Sequence, residues 1–300
     1  MGKIKVMCTS TGCIEYAPKR YMEEHDIDVI RVHVLFNGND YLEGLDLDPV
    51  EFYKQLETLE DTKNNLPKTA MPTIPEIKAH YDKAVSEGYD EAIVIAISSG
   101  LGGTYNLLRL VAEEYKDKIK IHVIDAKITC FAEGLLAIKA SELVKKGVDT
   151  PTILKEIEWI QKRMELFGID GKLDYLIYNG RLKGGKAFFG KMLSICPVIH
   201  FNEVGELVPL CSVRTQKKAL QKTCELLKEI IGDRKSEDYI LLHLYTGTSV
   251  LDQLVEIEKD YGIETNHERV IMSPVSGCHN GPWLAGYIYV PIRREDEPLD

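Results

Sequence analysis

The chain has 300 residues, with 37 Lys and Arg against 47 Asp and Glu, and hence a formal net charge of −10. That balance argues against binding a phosphate backbone, which needs a clustered Lys/Arg surface, so no nucleic-acid partner is expected. A composition 44% hydrophobic and 28% charged is that of a folded chain, and no apolar run approaches the ~18–20 residues of a membrane span, so no stable membrane insertion is expected.

Residues 1–6 pass straight into strand-like alternation, which predicts no signal peptide and a cytoplasmic protein. The seven cysteines are scattered, odd in number and without CxxC or HxxH spacing, so free thiols and no metal site are expected. Runs rich in β-branched residues predict strands at 3–8, 28–36, 91–97 and 119–124. Amphipathic stretches predict helices at 15–25, 49–59, 74–87, 104–115 and 131–146. Strands separated by helices of this length imply crossover units and a largely parallel sheet. A further helix is expected from Pro151 to about Phe167, with Thr150 as its cap.

Beyond residue 168 the texture changes. A strand at 173–178 leads into a Gly-rich segment at 180–190. Two β runs, 197–201 and 207–213, flank Asn202-Glu203-Val204-Gly205-Glu206, which reads as a hairpin turn. Helix 216–231, strand 239–245, helix 250–261 and strands at 270–273 and 285–290 complete the chain. The expected division is a domain of residues 1–168 and a second of 169–300.

Ser98-Ser99-Gly100-Leu101-Gly102-Gly103-Thr104 follows an apolar strand and opens a helix, where ligands bind in open α/β sheets. Capping serines in a tight turn are the plainer alternative. Gly180-Arg181-Leu182-Lys183-Gly184-Gly185-Lys186-Ala187 has the spacing of a P-loop, but Ala187 stands where a magnesium-binding hydroxyl belongs, so nucleotide binding is not expected. Thr69 is cut off from the next helix by Pro72, so capping explains it less well than it explains Thr73. His279 lies between Gly277 and Gly281 in a Gly/Pro loop and is the histidine expected to act. Arg214 leaves the apolar run 207–213 and reads equally well as a solvated strand end. A Ser98 or Ser99, His279, Asp125 hydrolase can be drawn from these residues, although the GxSxG elbow is absent.

The order Thr9-Ser10-Thr11, Thr69-Ala70-Met71-Pro72-Thr73, Ser98-Ser99-Gly100-Leu101-Gly102-Gly103-Thr104-Tyr105, Val213-Arg214-Thr215 and His279-Asn280-Gly281-Pro282 resembles the DegV family of bacterial fatty-acid-binding proteins. The resemblance runs from about residue 3 to 290. It implies two α/β domains, the first with a mostly parallel, Rossmann-like sheet and the second mixed, with a long-chain fatty acid between them. It further implies that Thr69, Ser98 or Ser99, His279 and Arg214 hold the carboxylate, with Gly100, Thr104 and Gly281 supporting the loops. In that family the acid is presented to a separate fatty acid kinase, so the chain is expected to be a carrier, with no catalytic residue, cofactor or metal of its own. A carboxylate beside His279 is expected to favour the imidazolium, raising its pKa above the ~6.5 reference. Residues 187–195 are expected to line the acyl tail. Where the family has Leu-Ser-Gly-Thr, this chain has Leu101-Gly102-Gly103-Thr104.

Overall fold

The computed structural model describes residues 2–18, 21, 25–60, 62–184, 195–264, 267–294 and 296–299. The chain runs β1 (Ile4–Thr9), β2 (Ile27–Ile30), β3 (His33–Phe36), β4 (Asn39–Leu42), α1 (Pro49–Glu57), α2 (Thr62–Asn65), β5 (Lys68–Ala70) and α3 (Ile74–Ser86). It continues through β6 (Glu91–Ala96), α4 (Thr104–Ala112), β7 (Lys120–Asp125), α5 (Cys130–Lys145) and α6 (Thr150–Gln161). The second half runs β8 (Glu165–Asp170), α7 (Asp174–Tyr178), β9 (Cys196–Phe201), β10 (Leu207–Val213) and α8 (Gln216–Ile231). Last come β11 (Tyr239–Tyr245), α9 (Thr248–Asp260), β12 (Glu268–Ile271), α10 (Pro274–Asn280) and β13 (Leu284–Pro291).

The first sheet is parallel throughout, in the order β2-β1-β6-β7, as the crossover pattern implies. A second sheet of six strands runs β10-β9-β8-β13-β11-β12 and is antiparallel except for the β11–β12 pair. A small antiparallel sheet, β4-β3-β5, carries Thr69 beside Val34. Between the two large sheets lies α5, buried on nearly every side from Cys130 to Ile138. Each of its large apolar side chains, Phe131 and Leu136 among them, contributes about 1.5–3 kcal/mol by leaving water.

Four expected elements differ. The run 28–36 is two strands in two sheets, because the Val32 amide donates to Ser10 Oγ at 3.1 Å and the chain leaves the parallel sheet there. Helix α6 ends at Gln161, and Glu165–Asp170 is a strand, so a division at 168/169 would cut through β8; we propose to draw it at 162–164, between the sheets. Gly168 suits that strand, since a Cβ there would sit 2.4 Å from the Ala285 carbonyl oxygen of β13. The cap of α6 is Asp149, which accepts from the Thr152 amide at 2.9 Å, and Thr150 is already helical. Residues 174–178 form a helix, since periodicity cannot type so short an apolar run. Of the expected helix at 15–25, the described residues show a 3-10 turn at Ile14–Tyr16 and a helical Tyr21, with Ala17 and Pro18 between them outside any helix.

Candidate functional site

A cavity of about 1020 Å³, its open mouth included, lies between the parallel sheet and the six-stranded sheet. One wall is the loop after β6, through Leu101, Gly102, Gly103 and Thr104. The facing wall is apolar, with Leu166 of β8, Ile199 and Phe201 of β9 and Leu207 of β10. Alternating strand positions aim these side chains at one face of the sheet, which is why a mixed sheet builds a greasy wall.

At the polar end, Thr69 Oγ1 stands 3.1 Å from His279 Nε2. The β3–β5 pairing fixes Thr69, and His279 sits in the last turn of α10, so it belongs to a helix and not to a loop. Ser273 caps that helix and Gly281, at φ +64°, ends it; a Cβ on Gly281 would press into the Tyr175 ring at 2.7 Å. The His279 Nδ1 is enclosed and has no hydrogen-bond partner among the described residues. Burial, with the nearby Arg181 charge adding to it, pushes the imidazole down to about 3, so at neutral pH it is uncharged. Arg181 lines the same cavity, and among the described residues no carboxylate pairs with it. Its Nη1 donates to the Asn179 carbonyl at 2.9 Å, and burial lowers its pKa. Thr129, at the start of α5, lines the cavity with a buried hydroxyl. Beside it Cys130 Sγ lies 3.5 Å from Ser276 Oγ.

The structure therefore brings Thr69, His279 and Thr104 to the cavity and leaves the other expected residues outside its lining. Ser98 is fully enclosed; its hydroxyl donates to the Gly205 carbonyl at 2.7 Å and accepts from the Gly100 amide at 3.1 Å. A hydroxyl has one proton, and this one is spent. Ser99 Oγ donates to Asp125 Oδ2 at 2.6 Å, while the Ser99 and Lys127 amides both donate to Asp125 Oδ1 at 3.0 Å. These serines brace a tight turn, the plainer of the two readings. Gly100 packs on Gly205. Arg214, exposed at the end of β10, is a solvated strand end. A Ser–His–Asp relay is not formed: Ser99 meets Asp125 directly, and the imidazole bonds Thr69. The expected tail-lining residues 187–194 lie outside the described residues.

Arg181 and Thr129 are the residues that sequence reasoning missed. Arg181 lies inside the P-loop-like run, where the glycine spacing is the only local signal and nothing marks a cavity-facing cation. Thr9 and Thr11 of the first loop do not face the cavity mouth as a pair: both hydroxyls converge on the fully buried Glu133 of α5. Burial pushes the Glu133 carboxyl well above its ordinary range. Among the described residues no group of three or more His, Cys, Asp or Glu is placed to hold a metal ion, and no helix is long and apolar enough to cross a membrane.

Residues 3–291 match the family profile described as "Uncharacterised protein, DegV family". Protein DegV of Bacillus subtilis is 36% identical over 228 residues, covering 75% of this chain and 77% of its own. Among solved structures, a fatty acid binding DegV family protein from Streptococcus agalactiae has a TM-score of 0.86 at 27% identity, over 98% of this chain and 100% of that one. DegV of Bacillus subtilis, described as a fatty acid binding protein, has a TM-score of 0.82 at 29% identity, over 97% and 100%.

Proposed function

The chain belongs to the DegV family, and from that premise we propose that it binds a long-chain fatty acid and carries it without transforming it. The carrying observation is Arg181: a half-buried guanidinium with no acidic partner among the described residues, at the polar end of an otherwise greasy cavity. A ligand carboxylate supplies such a cation with a counter-ion and two parallel hydrogen bonds. Thr69 and the neutral His279 lie within reach of the same end and add donors without adding charge. The tail supplies the affinity. Burying a ~16-carbon chain at about 0.8 kcal/mol per methylene gains roughly 10 kcal/mol before entropy costs.

The relatives described as fatty-acid-binding support this reading. We further propose that the acid is presented, carboxylate outward, to a separate ATP-dependent kinase in the cytoplasm, which forms the acyl phosphate. Organic extraction of the purified protein followed by mass spectrometry tests the ligand: roughly stoichiometric acyl chains are expected. An empty protein that also ignores added long-chain acids would overturn the proposal. Acyl phosphate formation should require an added kinase; formation from ATP by this chain alone, or steady ester turnover, would make it an enzyme.

A further inference from the structure

The two walls of the cavity are joined at one buried point. The Ser98 hydroxyl, on the loop that follows the parallel sheet, donates to the carbonyl of Gly205 in the β9–β10 turn. The contact is close-fitting from both sides. A Cβ on Gly100 would stand 2.4 Å from the Gly205 oxygen, and one on Gly205, whose φ is +78°, would stand 2.1 Å from Ser98 Oγ. The turn itself is stiff: the Gly205 amide donates to the Asn202 carbonyl at 2.8 Å, and the Glu206 amide to Asn202 Oδ1 at 2.9 Å.

β10 is bonded to β9 within its sheet and, at its first residue, to the segment after α7, where the Lys183 amide donates to the Leu207 carbonyl at 2.9 Å. Beyond that point its register slips between Pro209 and Cys211, an irregularity that lets a strand bend. The same hairpin bears Ile199, Phe201 and Leu207, three side chains of the apolar wall. Leu101 of the loop and Leu207 of the hairpin both line the cavity, so parting the two walls there breaks the Ser98–Gly205 bond.

We propose that Ser98 and Gly205 form an interdomain latch, with Ser98 a positioning residue that sets how fast an acyl chain exchanges. This rests on the fatty-acid reading of the cavity for its ligand, but the latch itself is a property of the empty protein. Two measurements separate them. Hydrogen exchange on the ligand-free chain should show faster exchange at residues 98–104 and 202–207 in Ser98→Ala and in Gly205→Ala, with the β1 and β6 amides unchanged. Stopped-flow displacement of a fluorescent long-chain acid by excess oleate should show release about 2–10-fold faster in both variants, the factor expected for one lost hydrogen bond. Their preference for the free acid over its methyl ester should persist.

Unchanged exchange at both segments would overturn the latch whether or not any lipid binds. Unchanged release would overturn its gating role. Loss of the acid preference in Ser98→Ala would make the serine a head-group ligand instead. If the wild type binds no long-chain acid, the fatty-acid reading fails while hydrogen exchange still decides the latch.

Discussion

The Asn179 side-chain amide donates to the Cys278 carbonyl at 2.7 Å and so ties the segment bearing Arg181 to the helix bearing His279. The cation and the imidazole come from different parts of the chain, 98 positions apart (279 − 181), yet this one bond holds their backbones in a fixed relation. Both then face the cavity that Thr69 closes from a third element.

Arg181→Ala should therefore weaken the acid specifically. Removing a charge-assisted hydrogen bond costs about 1.5–3 kcal/mol, roughly 10–150-fold in affinity. The methyl ester, which has no charge to pair, should bind the variant and the wild type alike. Titration of both ligands into both proteins checks this, and equal losses for acid and ester would remove Arg181 from the head group.

For His279 the structure changes the expected pH dependence. The sequence places a reference imidazole beside a carboxylate, whereas burial and Arg181 start it from about 3. Affinity for the acid should then be nearly flat between about pH 6 and 8.5, either side of the usual histidine range, in wild type and in His279→Gln. Stability behaves differently. The folded-state pKa lies below the unfolded ~6.5, so between the two values the unfolded chain binds more protons. This contribution is complete above about pH 6.5 and declines as the pH falls toward 3. Urea midpoints of wild type and His279→Gln should converge across that range on acidification; a constant difference would show that His279 does not titrate between folded and unfolded states.

Glycines 100 and 102, two positions apart, should respond in opposite ways. A Cβ on Gly102 meets nothing within 4 Å, and the residue lines the cavity, so Gly102→Ser should fold with a stability change within about 0.5 kcal/mol. Its hydroxyl should tighten the acid about 2–10-fold and leave the methyl ester unaffected. Gly100→Ala drives a methyl onto the Gly205 carbonyl and should lower the melting temperature. Thermal melts with paired binding curves distinguish the two, and a Gly102→Ser protein that unfolds early would contradict the open space.

The parallel sheet, the hairpin and helix α8 were legible because each element carries a local signal: β-branched runs, a Gly-bearing turn, an amphipathic period. Residues 165–170 were not, since their apolar side chains continue the α6 spacing and only pairing with β13 makes them a strand. The candidate site was half legible for a related reason. Thr69 and His279 stand out by type and setting. Ser98 and Ser99 stand out equally, but whether a hydroxyl is free depends on Gly205 and Asp125, which meet it only in the fold. Arg181 is not legible, because a lone arginine among glycines carries no period and no motif of its own.

The buried Glu133 gives the last prediction. Thr9 and Thr11 hydroxyls reach its carboxyl, yet the cost of burying a charge dominates and raises its pKa well above the ordinary carboxylate range. A carboxyl protonated in the fold and ionised when unfolded holds extra protons in the native state. Its stabilising effect is complete below the unfolded value of ~4.3 and is lost as the pH rises through the folded one. Glu133→Gln is nearly isosteric and keeps one acceptor and one donor for the threonines, but it does not titrate. The variant should lose no stability near pH 8 and should become progressively less favoured against wild type as the pH is lowered toward 5, a range above that unfolded reference. Denaturation midpoints of the two proteins at several pH values check this. A variant strongly destabilised at pH 8, with the gap closing on acidification, would mean that Glu133 is ionised in the fold and that the Thr9 and Thr11 hydroxyls stabilise its charge.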